Sequence, residues 1–285
     1  MVAFSVTNKE NLHNCKRTVR SRVENLLSTF GLDYGETMKA MREHNAIISG
    51  SSALTVLFTD GFQPGDVDFY VGREGMAGFL AWLEANTEYR TVIRNTLVDP
   101  NDWYSPGRHG IHDVKWLEDN ATGMKMNVVT TQDPCPVSVI FQFYTTLSMN
   151  VISWAGVGCA YPSLTTKRLG VLVGKELKEN TRVQGRVKKA TERGFTIASS
   201  WDEDMVVKAL GPHECDSGRV CPRGVRNLRS NRGLLWMTLD RWEEGEMQRV
   251  MPNVSWMMMD GRTCGDEIAP VRRSTRAQRA REQDV

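Results

Sequence analysis

The sequence lacks the marks of a secreted, disulfide-stapled or strongly charged protein. Only six of its 285 residues are cysteine, and they are scattered along the chain. Secreted domains that depend on disulfides are shorter and denser in cysteine. The net charge is only +2. Any site for a polyanion must therefore be a local patch rather than a property of the whole surface.

Signals for export and for membrane insertion are also absent. The first 13 residues lack the charged start and the apolar run of a signal peptide, so we expect an intracellular protein, cytoplasmic or nuclear. Residues 134–166 carry no charged side chain, but polar residues interrupt them, and Gly156 and Gly158 lie near their end. A membrane span needs roughly 20 mainly apolar residues. A buried helix followed by a buried strand is the expected structure.

What is present is an ordinary globular composition, 40% hydrophobic and 25% charged, without internal repeats. Hydrophobic spacing predicts helices at residues 9–30, 36–44, 51–58, 75–86, 136–146 and 175–193. Alternation and turn residues predict strands at 46–48, 66–71, 89–94, 112–118 and 124–131, with one or two more in 148–161. Gly31 is expected to end the first helix, and Ser51 or Ser52 to cap the third. The predicted fold class is α/β (α+β), a small mixed sheet flanked by helices.

One short segment combines the residue types needed to hold a metal and a phosphate. Asp66 and Asp68 are two apart on a predicted strand, so both carboxylates face the same side. Two carboxylates this close repel each other unless a positive charge lies between them, and Mg²⁺ prefers oxygen ligands. The turn at Gly50-Ser51 allows a phosphate to approach the backbone. The following helix N-terminus favours an anion. These parts supply the positioning and charge neutralisation that phosphoryl or nucleotidyl transfer requires.

The segment SGSSALTVLF…PGDVDFYV resembles the signature of the DNA polymerase β-like nucleotidyltransferase superfamily, in which Gly-Ser and a short helix precede an apolar-flanked Asp-x-Asp. The resemblance implies a nucleotidyltransferase-like fold and a nucleoside triphosphate held by Gly50, Ser51 and Ser52. It also implies Mg²⁺ at Asp66 and Asp68. The reaction it implies is transfer of a nucleoside monophosphate to a hydroxyl acceptor with loss of pyrophosphate.

Residues 46–168 are also similar to a group of nucleotidyltransferase-like proteins of filamentous fungi. The matching residues are Lys125-Met126-Asn127, Ser148-Met149-Asn150-Val151-Ile152, Tyr161-Pro162, Thr165, Lys167 and Arg168. This similarity makes Lys125, Lys167 and Arg168 candidates to neutralise the triphosphate. Each element taken singly is also common in structural roles, since Asp-x-Asp can simply end a strand and Gly-Ser-Ser can simply start a helix.

The sequence departs from the superfamily pattern at the third carboxylate, which active members usually bring from a later strand. The aligned position is Asn127, whose carbonyl oxygen can bind a metal but which is no general base. If the register differs, Asp113, Glu118, Asp119 or Asp133 can take this place. The protein is therefore either a metal-dependent nucleotidyltransferase or a catalytically degenerate pseudoenzyme that binds nucleic acid or a partner. A structural protein in which the aspartates cap turns is the third alternative.

Basic side chains recur along one predicted helix. Arg182, Arg186, Lys189 and Arg193 are spaced four, three and four apart, so they form one stripe. The stripe is either a track for an RNA or DNA backbone or a solvated helix face. The arginine-rich end, residues 269–285, is predicted to be a disordered basic tail that can bind nucleic acid or act as a localisation signal.

His213, Cys215 and Cys221 are the one cluster with zinc-ligand chemistry. A fourth ligand from Cys159 or Cys264 would be needed, and the spacing is not that of a standard finger, so buried thiols are the alternative.

We expect residues 1–170 to form the nucleotidyltransferase-like domain. Residues 171–268 are expected to form a helical or irregular companion that closes over it.

Overall fold

The structure is a computed structural model. It describes residues 9–93, 109–173, 180–213, 221, 224–228, 234–239 and 254–256. The predicted basic tail, Cys215 and Cys264 lie outside these residues.

The first helix, α1 (Lys9–Thr29), follows the predicted amphipathic pattern, with Val19, Val23 and Leu26 buried. It ends at Gly31, whose φ of +68° few other residues adopt readily. The further helices of the described residues are α2 (Tyr34–Glu43), α3 (Gly50–Thr55), α4 (Met76–Asn86), α5 (Val137–Ile140), α6 (Pro162–Thr165), α7 (Thr181–Glu192) and α8 (Asp204–Leu210).

Eight strands of the described residues form one mixed sheet in the order β11-β7-β6-β1-β2-β5-β4-β3. Their bounds are β1 (Ala46–Ser49), β2 (Asp66–Gly72), β3 (Tyr89–Thr91), β4 (Ile111–Asp119), β5 (Lys125–Thr131), β6 (Asn150–Ser153), β7 (Gly156–Cys159) and β11 (Leu235–Thr238). Among the described strands of this sheet, β2 and β5 pair in parallel and the other neighbours pair antiparallel. Two smaller pairs are β8 (Leu169–Val171) with β9 (Thr196–Ala198), and β10 (Arg226–Asn227) with β12 (Ser255–Trp256).

Helices cover both faces of the sheet, which explains the buried pattern of the central strands. On β2, Val67, Phe69 and Val71 point into one apolar core together with α1, α2 and α4. Tyr70 points into the other core. Asp68 lies on the same face as Tyr70, because side chains alternate along a strand. The mixed sheet flanked by helices confirms the predicted fold class.

Two helix predictions were wrong in extent. The helix predicted at 136–146 is only α5, followed by a 3₁₀ turn at Thr146–Ser148. Tertiary pairing explains the early end: Val173 N donates to the Tyr144 carbonyl at 2.8 Å, and Thr145 bridges Leu172. The helix predicted at 51–58 ends at Thr55.

The predicted caps of that helix were also wrong, since its N-cap residue is Ser49 and no side chain caps it. The hydroxyl of Ser52 instead donates to the carbonyl of Asp66 at 2.8 Å and ties α3 to the start of β2.

The other elements agree with their predicted positions within a few residues, apart from residues 174–179, which lie outside the description. In the described part of the chain, no helix has the length and apolar character to cross a membrane. β11, from the predicted companion region, pairs with β7 in the main sheet. The predicted division at residue 170 stays a prediction.

Candidate functional site

A solvent-open cleft of about 230 Å³ lies where β1 turns into α3. Its lining combines acidic residues, basic residues at α7 and aromatic side chains. The lining residues are Gly50, Ser51, Leu54, Phe62, Asp66, Asp68, Phe143, Tyr144, Leu147, Ser148, Arg186, Lys189, Ala190, Arg193 and Phe195. The fold thus brings four residues of the sequence pattern into one cleft: Gly50, Ser51, Asp66 and Asp68.

The bend at Gly50 lies directly against Asp68. Strands β1 and β2 are antiparallel with Ser49 opposite Asp68, so the chain turns at the level of that carboxylate. Gly50 has a φ of +69°. A Cβ atom on Gly50 would lie 2.8 Å from Oδ2 of Asp68. Glycine is therefore required here both by its backbone conformation and by the space beside the acid.

Asp66 and Asp68, called the acidic pair below, are two apart on β2. Asp68 is 6% exposed and Asp66 is half-buried. In the parallel pairing of β2 with β5, Asn127 lies opposite Asp68. The amide Nδ2 of Asn127 donates to Oδ1 of Asp68 at 2.7 Å and to Oδ2 of Asp66 at 3.4 Å. One neutral amide therefore holds both carboxylates from the side of β5.

The environment of Asp68 makes its ionisation costly. Burial and, second, the nearby charge of Asp66 raise the pKa of Asp68 to about 7. The Asn127 hydrogen bond and the positive charges of Arg186 and Lys189 oppose this rise. A carboxyl group in a cleft whose pKa lies near neutral pH is typical of sites that bind a cation or move a proton.

The basic stripe of α7 turns one side toward the cleft. Arg186, Lys189 and Arg193, called the basic wall below, all line it. Arg182 lies one turn nearer the start of the helix and does not belong to the lining. Asn180 caps α7 by accepting from Arg182 N and Val183 N, each at 3.1 Å. The arginines lie close enough to the acidic pair to interact with it. Burial lowers the pKa of Arg193 and the charge of Asp66 opposes this, while the charge of Arg186 opposes the rise of the Asp68 pKa.

Aromatic side chains position two of these cations. The guanidinium of Arg193 lies 4.1 Å from the ring centre of Phe62, and that of Arg186 lies 5.5 Å from the ring centre of Tyr144. Tyr144 is half-buried in the cleft and hydrogen-bonds to Ser148. Sequence reasoning missed Phe62, Tyr144 and Ser148 as site residues. They come from loops and a 3₁₀ turn without a periodic pattern.

The lysines and arginine suggested by the fungal resemblance do not line the cleft. Lys125 is exposed on β5, opposite Asp66 in register. Lys167 donates from Nζ to the carbonyl of Ala209 at 2.6 Å, at the end of α8. Arg168 pairs with Asp60 at 2.7 Å and lies against the rings of Phe58 and Phe195.

None of the alternative third carboxylates lines the cleft. Asp113 pairs with Lys115 at 2.8 Å, and Asp119 and Asp133 accept backbone N–H groups of their own turns. Glu118 lies on β4, two strands from Asp66. That separation is on the order of 10 Å between the backbones. Asn127 therefore occupies the position next to the acidic pair.

The donor set of the cleft fits Mg²⁺. Two carboxylates and a serine hydroxyl are hard oxygen donors, and Mg²⁺ commonly binds one or two carboxylates together with substrate phosphates and water. Within the described residues, no group of three or more His, Cys, Asp or Glu side chains is placed to hold a metal. Among the described residues, no lysine or arginine forms an ion pair with Asp66 or Asp68.

The predicted zinc cluster is not assembled by the described residues. Nδ1 of His213 donates a hydrogen bond to the carbonyl of Gly211 at 2.8 Å, and Cys221 is fully buried. Burial raises the pKa of Cys159 to about 11, which disfavours the thiolate that zinc requires. Cys215 and Cys264 lie outside the described residues, so the full set stays a prediction.

Replacing Gly50 tests how tightly the bend is built. Gly50→Ala is expected to lower the free energy of unfolding by roughly 1–3 kcal/mol, because alanine is strained at this positive φ and its Cβ meets Asp68. Gly65→Ala is the matched control, since a Cβ there has nothing within 4 Å. Urea unfolding of both variants measures the difference. Equal stability of the two variants would show that the bend tolerates a side chain.

No protein-family model matches the chain. No curated protein sequence matches it either. Among solved structures, a CCA-adding enzyme in its apo form I is similar at 12% identity and a TM-score of 0.43, over 62% of this chain and 43% of that one. The Thermotoga maritima CCA-adding enzyme complexed with tRNA is similar at 11% identity and a TM-score of 0.42, over 76% and 46%.

A CCA-adding enzyme with CTP is similar at 11% identity and a TM-score of 0.39, over 54% of this chain and 36% of that one. The chain covers less than half of each of the three structures. The identities are too low and the shared parts too small to assign the activity of these enzymes to this chain.

Proposed function

We propose that the cleft binds a nucleoside triphosphate with Mg²⁺ and transfers its nucleotidyl group to a hydroxyl acceptor. One observation carries the proposal: the acidic pair and the basic wall line the same cleft, and the Gly50 bend lies directly against Asp68. A site for a neutral ligand would not need both charges. A polyphosphate accompanied by a cation needs both, the wall for its oxygens and the pair for its metal.

The residues of the chain have separate tasks in this proposal. Gly50 leaves room for a phosphate at the backbone, and the Ser51 hydroxyl donates to it. Arg186, Lys189 and Arg193 neutralise the triphosphate from α7. Mg²⁺, when bound by Asp66 and Asp68, neutralises and polarises the phosphate oxygens.

The transfer itself exchanges one bond at phosphorus for another. The acceptor oxygen bonds to the α-phosphorus and releases its proton to water in the open cleft. The bond from that phosphorus to the bridging oxygen breaks, its electron pair stays on that oxygen, and pyrophosphate leaves. The chain contributes mainly by positioning the two reactants and by stabilising the charge that develops.

A second candidate is a catalytically degenerate protein that binds nucleotide, nucleic acid or a partner without transfer. The observation that favours it is Asn127, which contacts the acidic pair in place of a third acid and cannot accept the proton of a hydroxyl. The stripe from Arg182 to Arg193, with the predicted basic tail, is the surface we propose for RNA or DNA.

Calorimetry with nucleoside triphosphates, with and without Mg²⁺, tests the binding step. We expect Mg²⁺-dependent binding that is lost in Asp66→Ala/Asp68→Ala. Glu84→Ala/Glu88→Ala removes the same charge from two exposed positions of the α4 region and serves as the control. Absence of nucleotide binding to the wild-type chain would overturn the first candidate and would leave, of the second, only the binding of nucleic acid or of a partner.

Incorporation of labelled nucleotide then separates the two candidates. RNA, protein and small hydroxyl compounds are offered as acceptors to the wild-type chain and to the double alanine variant. Label that appears in an acceptor only with the wild-type chain supports transfer. Tight binding without any incorporation favours the degenerate module.

A further inference from the structure

Asn127 divides the oxygens of the acidic pair into two sets. On the side of β5, Oδ1 of Asp68 and Oδ2 of Asp66 accept from the same Nδ2, at 2.7 and 3.4 Å. On the other side, Oδ2 of Asp68 points to the Gly50 bend, where a Cβ would lie 2.8 Å away. Asn127 is not part of the cleft lining, whereas Gly50 and both acids are.

The N–H groups of the Asn127 amide reduce the repulsion between the two carboxylates on the side of β5, as a second cation would. The amide presents N–H donors to two carboxylates, and hydrogen bonds to charged groups are stronger than those between neutral groups. The opposite amide orientation would place a carbonyl oxygen against Asp68, acceptor against acceptor, so the donor orientation is the stable one for ionised acids. A metal on the same side would have to displace this N–H group from the two oxygens.

We propose that Asn127 makes the acidic pair a one-cation site, open only toward the Gly50 bend and the nucleotide. This inference rests on the proposed function. It assigns Asn127 as a positioning residue that withholds the β5-side oxygens from a second metal. A carboxylate at this position would add a negative charge and replace the N–H donors by a second acceptor oxygen, while keeping the shape of asparagine. It would thereby supply the additional oxygen ligands that a second metal ion needs beside the first.

Counting bound Mn²⁺ by electron paramagnetic resonance tests the inference on the full chain, in complex with a non-hydrolysable α,β-methylene nucleoside triphosphate. We expect one Mn²⁺ per bound nucleotide for the wild-type chain and two for Asn127→Asp. Asn86→Asp adds the same charge at an exposed position of α4 and is expected to stay at one. Asn127→Asp is also expected to melt lower than wild type in EDTA and to recover on addition of Mn²⁺, because three clustered carboxylates repel each other.

The outcomes separate this inference from the proposed function. Two Mn²⁺ on the wild-type chain, or one on folded Asn127→Asp, overturns the inference and leaves the proposed function intact. A wild-type chain that binds neither Mn²⁺ nor nucleotide overturns both. If Asn127→Asp fails to fold, the wild-type count decides alone, with one ion supporting the inference and two contradicting it.

Discussion

Asp68→Asn is expected to stabilise the folded chain at pH 8 and at the same time to abolish Mg²⁺-dependent nucleotide binding. Asp68 is buried beside Asp66, and these two conditions raise its pKa to about 7. At pH 8 the folded chain therefore carries a poorly solvated charge. Asparagine removes this charge and can still accept the hydrogen bond of Asn127. We expect a gain in the free energy of unfolding on the order of 2 kcal/mol.

Whether stability rises or falls with pH depends on which state of the chain, folded or unfolded, binds the Asp68 proton more tightly. The folded chain holds the Asp68 proton up to about pH 7, whereas the unfolded chain releases it near its ordinary value of 3.8. The contribution of Asp68 to stability is therefore greatest below about pH 4 and declines as the pH rises through about 7. Urea unfolding of wild type and Asp68→Asn between pH 5 and pH 8 measures this, and the difference between the two should grow with pH.

Glu84→Gln is the control for Asp68→Asn, because it neutralises an exposed carboxylate of α4. It should leave both the pH profile and nucleotide binding unchanged. A destabilised Asp68→Asn variant at pH 8 would contradict the argument, since it would mean that the charge is well compensated in the folded chain. Gain of stability with loss of binding is the behaviour expected of a residue kept for function.

Lys189→Ala is expected to weaken Mg²⁺-nucleotide binding by about ten- to a hundredfold, the usual range for one hydrogen bond to a charged group. Lys189 lines the cleft and its charge acts on Asp68. Lys188→Ala is the matched control, because Lys188 is exposed on the same helix and does not line the cleft. Calorimetry at two salt concentrations measures the effect, and the loss should be larger at low salt.

Folding stability should change little in either lysine variant, because both side chains are exposed. Equal losses of affinity in the two variants would show that α7 attracts the nucleotide only through its overall charge. No loss in either would remove α7 from the binding site. A loss confined to Lys189→Ala supports a specific basic wall.

Local sequence patterns predicted the parts of the site that are close in the chain. The apolar run at Ala46–Ile48 and the alternation after Asp66 give β1 and β2, and a period of two places Asp66 and Asp68 on one face. Gly50 marks the turn, since its positive φ suits glycine. The stop of α1 at Gly31 follows from the same chemistry. These features depend on residues within a few positions of each other.

Local sequence patterns could not predict features that depend on residues far apart in the sequence. The stripe on α7 is equally compatible with a solvated face. Only the tertiary structure, in which α7 packs against β9, brings Arg186, Lys189 and Arg193 into the cleft that the acids line. Residues 141–145 have helical spacing, but pairing with the segment at Leu172 ends α5 early. Lys167 was predicted to bind phosphate, but its ammonium group donates a hydrogen bond to the carbonyl of Ala209.

By itself, the sequence determined the strand, the bend and the two acids, because turn chemistry and side-chain alternation act over a few residues. Which basic groups face those acids was decided by the tertiary structure, and so was the amide that holds them. The register of β5 against β2 sets Asn127 opposite Asp68, and register is fixed by the packing of whole strands against two cores rather than by any local signal.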